Sequence, residues 1–320
     1  MLPFSRPLLQ LLSRDKLSVF LFHKVPLQLD PLVPQDVSLA EFEYLLDAVL
    51  SQFQIISLDD GVRGLTSGRL PSRAACITFD DGYADWLRGM APALERRNMH
   101  ATLFITAGQF DGRPLWHERI ARAVRELKGP SLDLQFPAIP AIDVVDLPAR
   151  QAAVSRLERS LKYLTLDLRE ELLLRLEAAA GVCPDDVPHL SVAQLRELHG
   201  RGFGIGAHTY DHPILDYCDQ EQALREIGGV REILEGLIAA PVRTFAYPNG
   251  RPHVDFSGHH VDIVKRAGYT SAVTTQWGVA EIGTSVYQIP RFTPWGKDPL
   301  RFMLQLGRNL ITAPERVPES

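Results

Sequence analysis

Two short stretches hold side chains whose types and spacing could do chemistry. The first is Thr78-Phe79-Asp80-Asp81-Gly82, where two carboxylates are neighbours at the end of an apolar run. Carboxylates this close repel each other, so such a pair sits with a cation or keeps one member protonated. The turn that Gly82 permits can bring both into one cleft; the alternative is an exposed acidic turn capping the helix that follows. The second stretch is Gly206-Ala207-His208-Thr209-Tyr210-Asp211-His212-Pro213. Two histidines four apart on one helical turn point the same way, which suits chelation of a single divalent ion, whereas an isolated pair at this spacing can equally be one surface and one core histidine. Together the stretches supply two imidazoles and a carboxylate. That ligand set leaves coordination open for water, as hydrolytic zinc sites require.

The elements that must position these groups alternate between strand and helix. Leu17 to Phe22, Phe53 to Leu58, Ala74 to Phe79 and Ala101 to Thr106 read as strands in the first third of the chain. Ser38-Leu39-Ala40-Glu41 is a capping-box pattern that opens a helix through Phe42, Leu45, Leu46 and Val49. A further helix is predicted from Ala84 to Asn98. The alternation lapses from Asp111 to Pro188, where helices are predicted over Trp116 to Leu127, Pro148 to Leu164 and Leu168 to Ala180. This stretch, about residues 111–190, reads as a helical insertion within a single domain spanning 1–320, because the rhythm resumes afterwards. A second capping box at Ser191 to Gln194, strands at Phe203 to Ala207, Thr244 to Ala246, Tyr269 to Val273 and Val286 to Ile289, and helices at Asp219 to Leu237, Val261 to Ala267 and from Asp298 complete the chain. Strands alternating with helices imply parallel βαβ units. The polar clusters at His23, Asp80-Asp81, His208 and Tyr247-Pro248-Asn249-Gly250 all fall just after strands, at the end where parallel barrels collect their active sites.

The pair of motifs, in this order, resembles the first two motifs of the polysaccharide deacetylases, the NodB-homology group or carbohydrate esterase family four. Ala101-Thr102-Leu103-Phe104 is similar to that family's strand after its first helix, and Phe245-Ala246-Tyr247-Pro248-Asn249-Gly250 to its third motif. The resemblance covers roughly Leu17 to Pro294, with Asp111 to Pro188 an insertion that the simplest members lack. It implies an α/β fold, a distorted (β/α)7-type barrel with a helical insertion. It also implies that Asp80 is the catalytic base and that Asp81, His208 and His212 are the protein ligands of a divalent metal ion. Zinc is the first expectation, with cobalt, nickel or iron compatible. The backbone N–H of the third motif would fall at Asn249 and help bind the oxyanion, with Tyr247 and Pro248 beside it at the substrate.

The chain departs from that pattern in two places. The third motif of the family carries an Arg and a Tyr where this chain has Ala246 and Asn249, and the stretch Gln288 to Thr293 lacks the His that serves as general acid. Two candidates remain for the missing roles. His23 ends the first strand, and some exopolysaccharide deacetylases have a similar aromatic-His pair there. Arg291 could orient Asp80 and support the oxyanion, although a guanidinium cannot donate a proton as an acid. His100, His117, His189 and His199 read as solvated or core residues, while His253, His259 and His260 could line a sugar cleft. Trp116, Trp277 and Trp295 could stack on sugar faces, but large aromatics more often simply pack.

The bulk composition fits these readings and excludes others. The chain has 320 residues, 45% of them hydrophobic, and a formal net charge of -5, which leaves no basic footprint for nucleic acid. Cys76, Cys183 and Cys218 form no CxxC pair and are odd in number, so neither a disulfide framework nor a thiolate zinc knot is indicated. Cysteine usage leans towards a reducing compartment. Leu8 to Leu12 is too short and too soon interrupted for a secretory signal, so a cytoplasmic location is expected, with Met1 to Leu12 able to lie on a membrane surface as an amphipathic helix. No stretch is long enough to span a bilayer. The expected activity is removal of the N-acetyl group from an N-acetylhexosamine in a glycan or lipid-linked glycan precursor. The alternatives are a metal hydrolase of the same fold acting on a non-sugar amide, and a non-catalytic glycan-binding module.

Overall fold

The computed structural model describes residues 11–183, 189–294 and 299–319. The expected surface helix at Met1 to Leu12, the ring of Trp295 and the helix start at Asp298 therefore lie wholly or mostly outside the described residues. In chain order the elements are β1 (Lys16–Phe22), α1 (Leu39–Leu50), β2 (Gln54–Ile55), α2 (Leu58–Ser67), β3 (Ala74–Phe79), α3 (Met90–Glu95) and β4 (Thr102–Ile105). Then come α4 (Trp116–Glu126), the hairpin β5 (Ser131–Leu132) and β6 (Ile142–Asp143), α5 (Leu147–Lys162) and α6 (Leu166–Ala180). The remainder is α7 (Val192–Gly200), β7 (Gly204–Ala207), α8 (Gln220–Leu224), α9 (Val230–Ile238), β8 (Thr244–Ala246), α10 (Gly258–Arg266), β9 (Ser271–Val273), β10 (Ala280–Glu281) and α11 (Pro299–Ile311).

Local chemistry sets many of these limits. Both capping boxes form, Ser38 with Glu41 and Ser191 with Gln194. The strand expected over Phe53 to Leu58 shrinks to β2, because Ser57 caps a helix that starts at Leu58. The helix expected over Ala84 to Asn98 splits into a 3-10 turn and α3 on either side of Leu87 to Gly89. The long helix after Asp219 is interrupted by a π turn at Arg225–Gly229. The hairpin β5–β6 and the strand β10 carry no signal that periodicity would detect.

Strands β1, β3, β4, β7, β8 and β9 run parallel in that spatial order, with β2 added to β3 and β10 antiparallel to β1. The segment from Val286 to Phe292 takes the seventh place. It exchanges backbone bonds with β9 (Ala272 N–H to Val286 O, 2.8 Å; Thr274 N–H to Ile289 O, 2.9 Å) and with β1 (Leu21 N–H to Phe292 O, 2.9 Å; Phe292 N–H to Val19 O, 2.8 Å). The sheet thus curls into a distorted barrel, as expected, although this last segment is too irregular to form a continuous strand.

Alternation along each strand sorts side chains between the barrel interior and the helices. Leu17, Val19, Cys76, Phe104, Ala246, Val273 and Ile289 form one buried cluster, floored by Leu58 and Leu65 of α2. Phe20, Phe22, Ile77, Phe79, Leu103 and Ile205 face outward into the larger core beneath the helices. On β3 the inward register Ala74, Cys76, Thr78 continues to Asp80. On β7 the register Gly204, Gly206 continues to His208. The apolar half of the barrel thus gives way to polar groups at the carboxyl ends of the strands. Helices α4, α5 and α6 pack on one another through an apolar cluster of their own that includes Ile120, Val124, Leu157 and Leu172.

Candidate active site

Asp80 follows the last residue of β3 and is almost fully buried. Arg291, also fully buried, grips it in a bidentate pair, with Nη1 to Oδ1 and Nη2 to Oδ2 both at 2.7 Å. The guanidinium is itself fixed by Thr78 Oγ1 at 3.2 Å and by the Thr274 carbonyl at 2.8 Å, and lies over the Phe104 ring. Burial alone would raise Asp80, but the Arg291 and His208 neighbours and the bonds from Arg291 outweigh it and hold the carboxyl below its ordinary range. Asp80 is therefore an anion at neutral pH.

Asp81, which strand alternation would point away, turns back into the same cleft because its own backbone is left-handed, φ 80°, followed by Gly82 at φ 83°. Its Oδ1 lies 3.5 Å from His208 Nε2 and 3.6 Å from His212 Nε2. That oxygen is buried and has no hydrogen-bond partner. His208 donates its Nδ1–H to the Ala246 carbonyl at 2.8 Å, which leaves the Nε2 lone pair facing Asp81. Burial lowers both His208 and His212, so both rings are neutral. One ligand atom from each of Asp81, His208 and His212 falls within 4.8 Å of the others, all three residues buried. An orphaned carboxylate oxygen facing neutral imidazole nitrogens is a donor set that fits a divalent cation.

The two histidines do not share a helical turn, contrary to the expectation from their spacing. Residues 208–213 form a loop in which Thr209 has φ 65° and His212 φ 50°. These left-handed residues, rather than the i,i+4 geometry of a helix, bring the rings together, with centroids 4.8 Å apart. The loop continues the pairing of β7 with β4, through His208 N–H to Ile105 O at 2.9 Å and Ala107 N–H to Thr209 O at 3.1 Å.

These groups sit in a cleft of about 910 Å³ whose wall includes His23, Lys24, Tyr83, Trp116, His117 and Asn249. His23 is exposed at the end of β1, within electrostatic reach of Asp80, Arg291 and His208. Asn249 borders the cleft in a left-handed conformation, φ 56°. Tyr247 and Pro248 do not. Tyr247 is fully buried, its ring stacked on Phe256 at 4.0 Å and its hydroxyl donating to the Tyr287 carbonyl, so the structure moves it from the expected substrate contact to the core. Pro248 is buried outside the cleft wall, its carbonyl accepting from Gly250 N–H at 2.6 Å. Adjacent strand-end residues cannot all face the cleft, and only Asn249 does.

His117 is the residue that sequence reasoning set aside and the fold brings in. It reaches the site from α4, its Nε2 2.8 Å from the Tyr83 hydroxyl and 3.9 Å from Asp81 Oδ2. The Tyr83 hydroxyl also hydrogen-bonds Asp81. The Tyr83 hydroxyl thus links His117 to Asp81. The Trp116-His117-Glu118 triplet at the head of a predicted helix was the available signal. His253, His259 and His260 do not line the cleft. His260 is buried against Ser257 as a cap, and His253 lies by the Arg316 carbonyl. Trp277 packs on Phe292, and the ring of Trp116 lies beneath Arg169.

Comparison with known proteins points the same way. The sequence profile of the family described as polysaccharide deacetylase matches residues 67–131 and 179–272. The Bacillus subtilis (strain 168) protein YxkH, provisionally named a polysaccharide deacetylase, is 20% identical over 277 residues, which is 86% of this chain and 70% of that protein. The fold is similar to that of the deacetylase PplD of Streptococcus pyogenes, solved in complex with acetate (TM-score 0.62, 15% identity, 92% of this chain and 99% of that one). It is also similar to IcaB from Ammonifex degensii (TM-score 0.56, 17% identity, 93% and 98%). With the motifs, the barrel and these matches in hand, the chain belongs to the polysaccharide deacetylase family, as a hydrolase of the deacetylase type.

Proposed function

We propose that this chain hydrolyses the N-acetyl group of an N-acetylhexosamine in a glycan or a lipid-linked glycan precursor, as a metal-dependent enzyme. The observation that carries this reading is the adjacency of two differently wired carboxylates in one cleft. Asp80 is held ionised by Arg291, while Asp81 faces two neutral imidazoles with a free oxygen. Asp81, His208 and His212 would hold the ion, zinc by preference. When bound, such an ion supplies Lewis acidity and makes a nearby water easier to deprotonate.

The chain's own residues account for the rest. Asp80 accepts a proton from the attacking water, and Arg291 fixes both of its oxygens so that the free lone pairs face the cleft. Water adds to the acetyl carbon, and an N–H at Asn249 stabilises the oxyanion, a donor worth about 3 kcal/mol in comparable sites. His23, which desolvation at the cleft wall keeps neutral, takes up the proton that Asp80 removed from the water and passes it to the departing amine as the C–N bond breaks, leaving acetate and a free amino sugar. His117 and Tyr83 orient Asp81. The cleft wall also includes Val25, Val33, Pro34, Val37 and Ala40, a stretch that suits an apolar group carried next to the sugar and favours a lipid-linked substrate. Among the described residues no helix is long and apolar enough to cross a membrane. A cytoplasmic site of action and contact with the membrane surface belong to the same proposal.

Acetate release from free, polymeric and lipid-linked N-acetylated saccharides tests this, with and without chelator. Wild type should release acetate and lose the activity with chelator. Asp80→Asn should lose about two to four orders of magnitude in kcat, and His23→Ala should lose turnover while keeping its metal. No acetate from any saccharide would favour a non-sugar amide or a glycan-binding role, and unchanged turnover in His23→Ala would remove that residue from the mechanism.

A further inference from the structure

The loop that carries His212 is built against backbone preference. Thr209, a β-branched residue, and His212 both hold φ above zero, conformations that persist only where surrounding groups over-determine them. Two buried charged side chains do so from opposite sides. Glu226, in the π turn between α8 and α9, accepts the N–H of Tyr210 at 2.8 Å and of Asp211 at 3.0 Å on one carboxylate oxygen. Arg169, in the first turns of α6, donates Nη2 to the Asp211 carbonyl at 2.7 Å and Nη1 to the His212 carbonyl at 3.2 Å. Arg169 is 4% exposed, and its guanidinium lies over the Trp116 ring of α4, 5.1 Å from the centroid. It has no freedom to follow the loop if the loop moves.

Arg169 lies in residues 132–178, between the two stretches that the family profile matches. The inserted helices therefore reach the back of the site with a side chain that the shared motifs do not include. We infer that Arg169 is a positioning residue. By gripping two successive carbonyls, it fixes the peptide that sets the direction of the His212 ring and so maintains the distance between His212 and Asp81. The inserted segment is in this sense part of the metal site. This inference rests on the proposed metal site and adds to it the element that holds one of its ligands.

The test uses the full-length protein loaded with zinc, with zinc affinity measured by chelator competition and kcat and KM measured on one N-acetylated saccharide. Arg169→Met keeps the bulk and removes both donors. It should bind zinc about 10- to 100-fold more weakly, with kcat reduced and KM little changed. Arg169→Lys keeps the charge but lacks the two-pronged fork, and should fall between Met and wild type. Arg175→Met, on the outer part of the same helix, should bind zinc as wild type does. Should Arg169→Met fail to fold, Arg169→Lys carries the test with a measurable loss of zinc affinity, and wild-type affinity in it overturns the inference. Wild-type zinc affinity in a folded Arg169→Met likewise overturns the positioning role alone. A wild-type protein that takes up no zinc overturns the metal site and this inference together.

Discussion

Asp80 and Asp81 share a peptide bond and meet opposite electrostatic environments. Arg291 holds Asp80 below its ordinary range, whereas burial and the charge on Asp80 push Asp81 up to about 8. The Asp80–Arg291 pair is a buried ion pair, so removing one partner leaves the other uncompensated. Arg291→Met should destabilise the protein by about 3–5 kcal/mol, and adding Asp80→Asn should restore much of that. Denaturant unfolding of the two variants would measure it, and equal destabilisation in both would mean that the cost lies in packing. Asp36, on the cleft wall, gives a pH signature. Burial pushes it up from 3.8 to about 6, partly offset by Lys24 and reinforced by Glu118, and its Oδ2 is buried without a hydrogen-bond partner. A carboxyl raised on folding takes up protons as the chain folds. Its stabilising contribution is complete below the unfolded value and is lost as pH rises through about 6. The melting temperature of Asp36→Asn minus that of wild type should therefore climb between about pH 4 and 6.5 and level off above. A flat difference would show that Asp36 is solvated.

At the scale of elements, small residues let the strands close around the site. Gly206 faces the barrel interior on β7, where an added Cβ would sit 2.5 Å from Phe104 Cδ1 and 2.9 Å from Thr244 Cγ2. Gly206→Ala should cost about 1–3 kcal/mol by overpacking and should also disturb His208, two residues on. The check is thermal unfolding together with zinc content; a neutral substitution would mean that the Phe104 ring can turn aside. Gly108, just after the neighbouring strand β4, lets the backbone approach the ligand loop, where a Cβ would meet the Tyr210 carbonyl at 2.7 Å. Element type was largely legible from the sequence, because apolar alternation and Ser-initiated capping are local. The 208–213 loop was not: a spacing of four fits a helix as well as a loop, and only the left-handed Thr209 and His212 distinguish them.

For the molecule as a whole, the site is assembled from groups far apart in the chain. Asp80 and Arg291 are separated by 211 positions yet share two hydrogen bonds. A metal bound only by the folded barrel couples site and stability: at about a hundredfold excess over its dissociation constant it adds about 2.7 kcal/mol. Stripping the ion with chelator should lower Tm by about 5 °C, and zinc should restore it, most effectively of the ions tried. A Tm indifferent to chelator and added ions would argue against a resident metal. Helices α4 to α6, between β4 and β7 and with an apolar cluster of their own, contribute His117 and Arg169 to the same site, Arg169 from the part that the family profile does not match.

The sequence alone determined the strand and helix rhythm, the two motifs at strand ends and a candidate donor set of two imidazoles beside adjacent carboxylates, because each depends on composition or spacing within a few residues. The family resemblance, not spacing, implied the barrel and Asp81 as the ligand. Only the tertiary structure decided that Arg291 clamps Asp80, that Tyr247 packs in the core instead of facing the cleft, and that His117 and Arg169 reach the site from helices between β4 and β7. These are contacts between side chains tens to hundreds of positions apart. Their partners are chosen by how the barrel closes and the helices dock, which no local pattern of residues encodes.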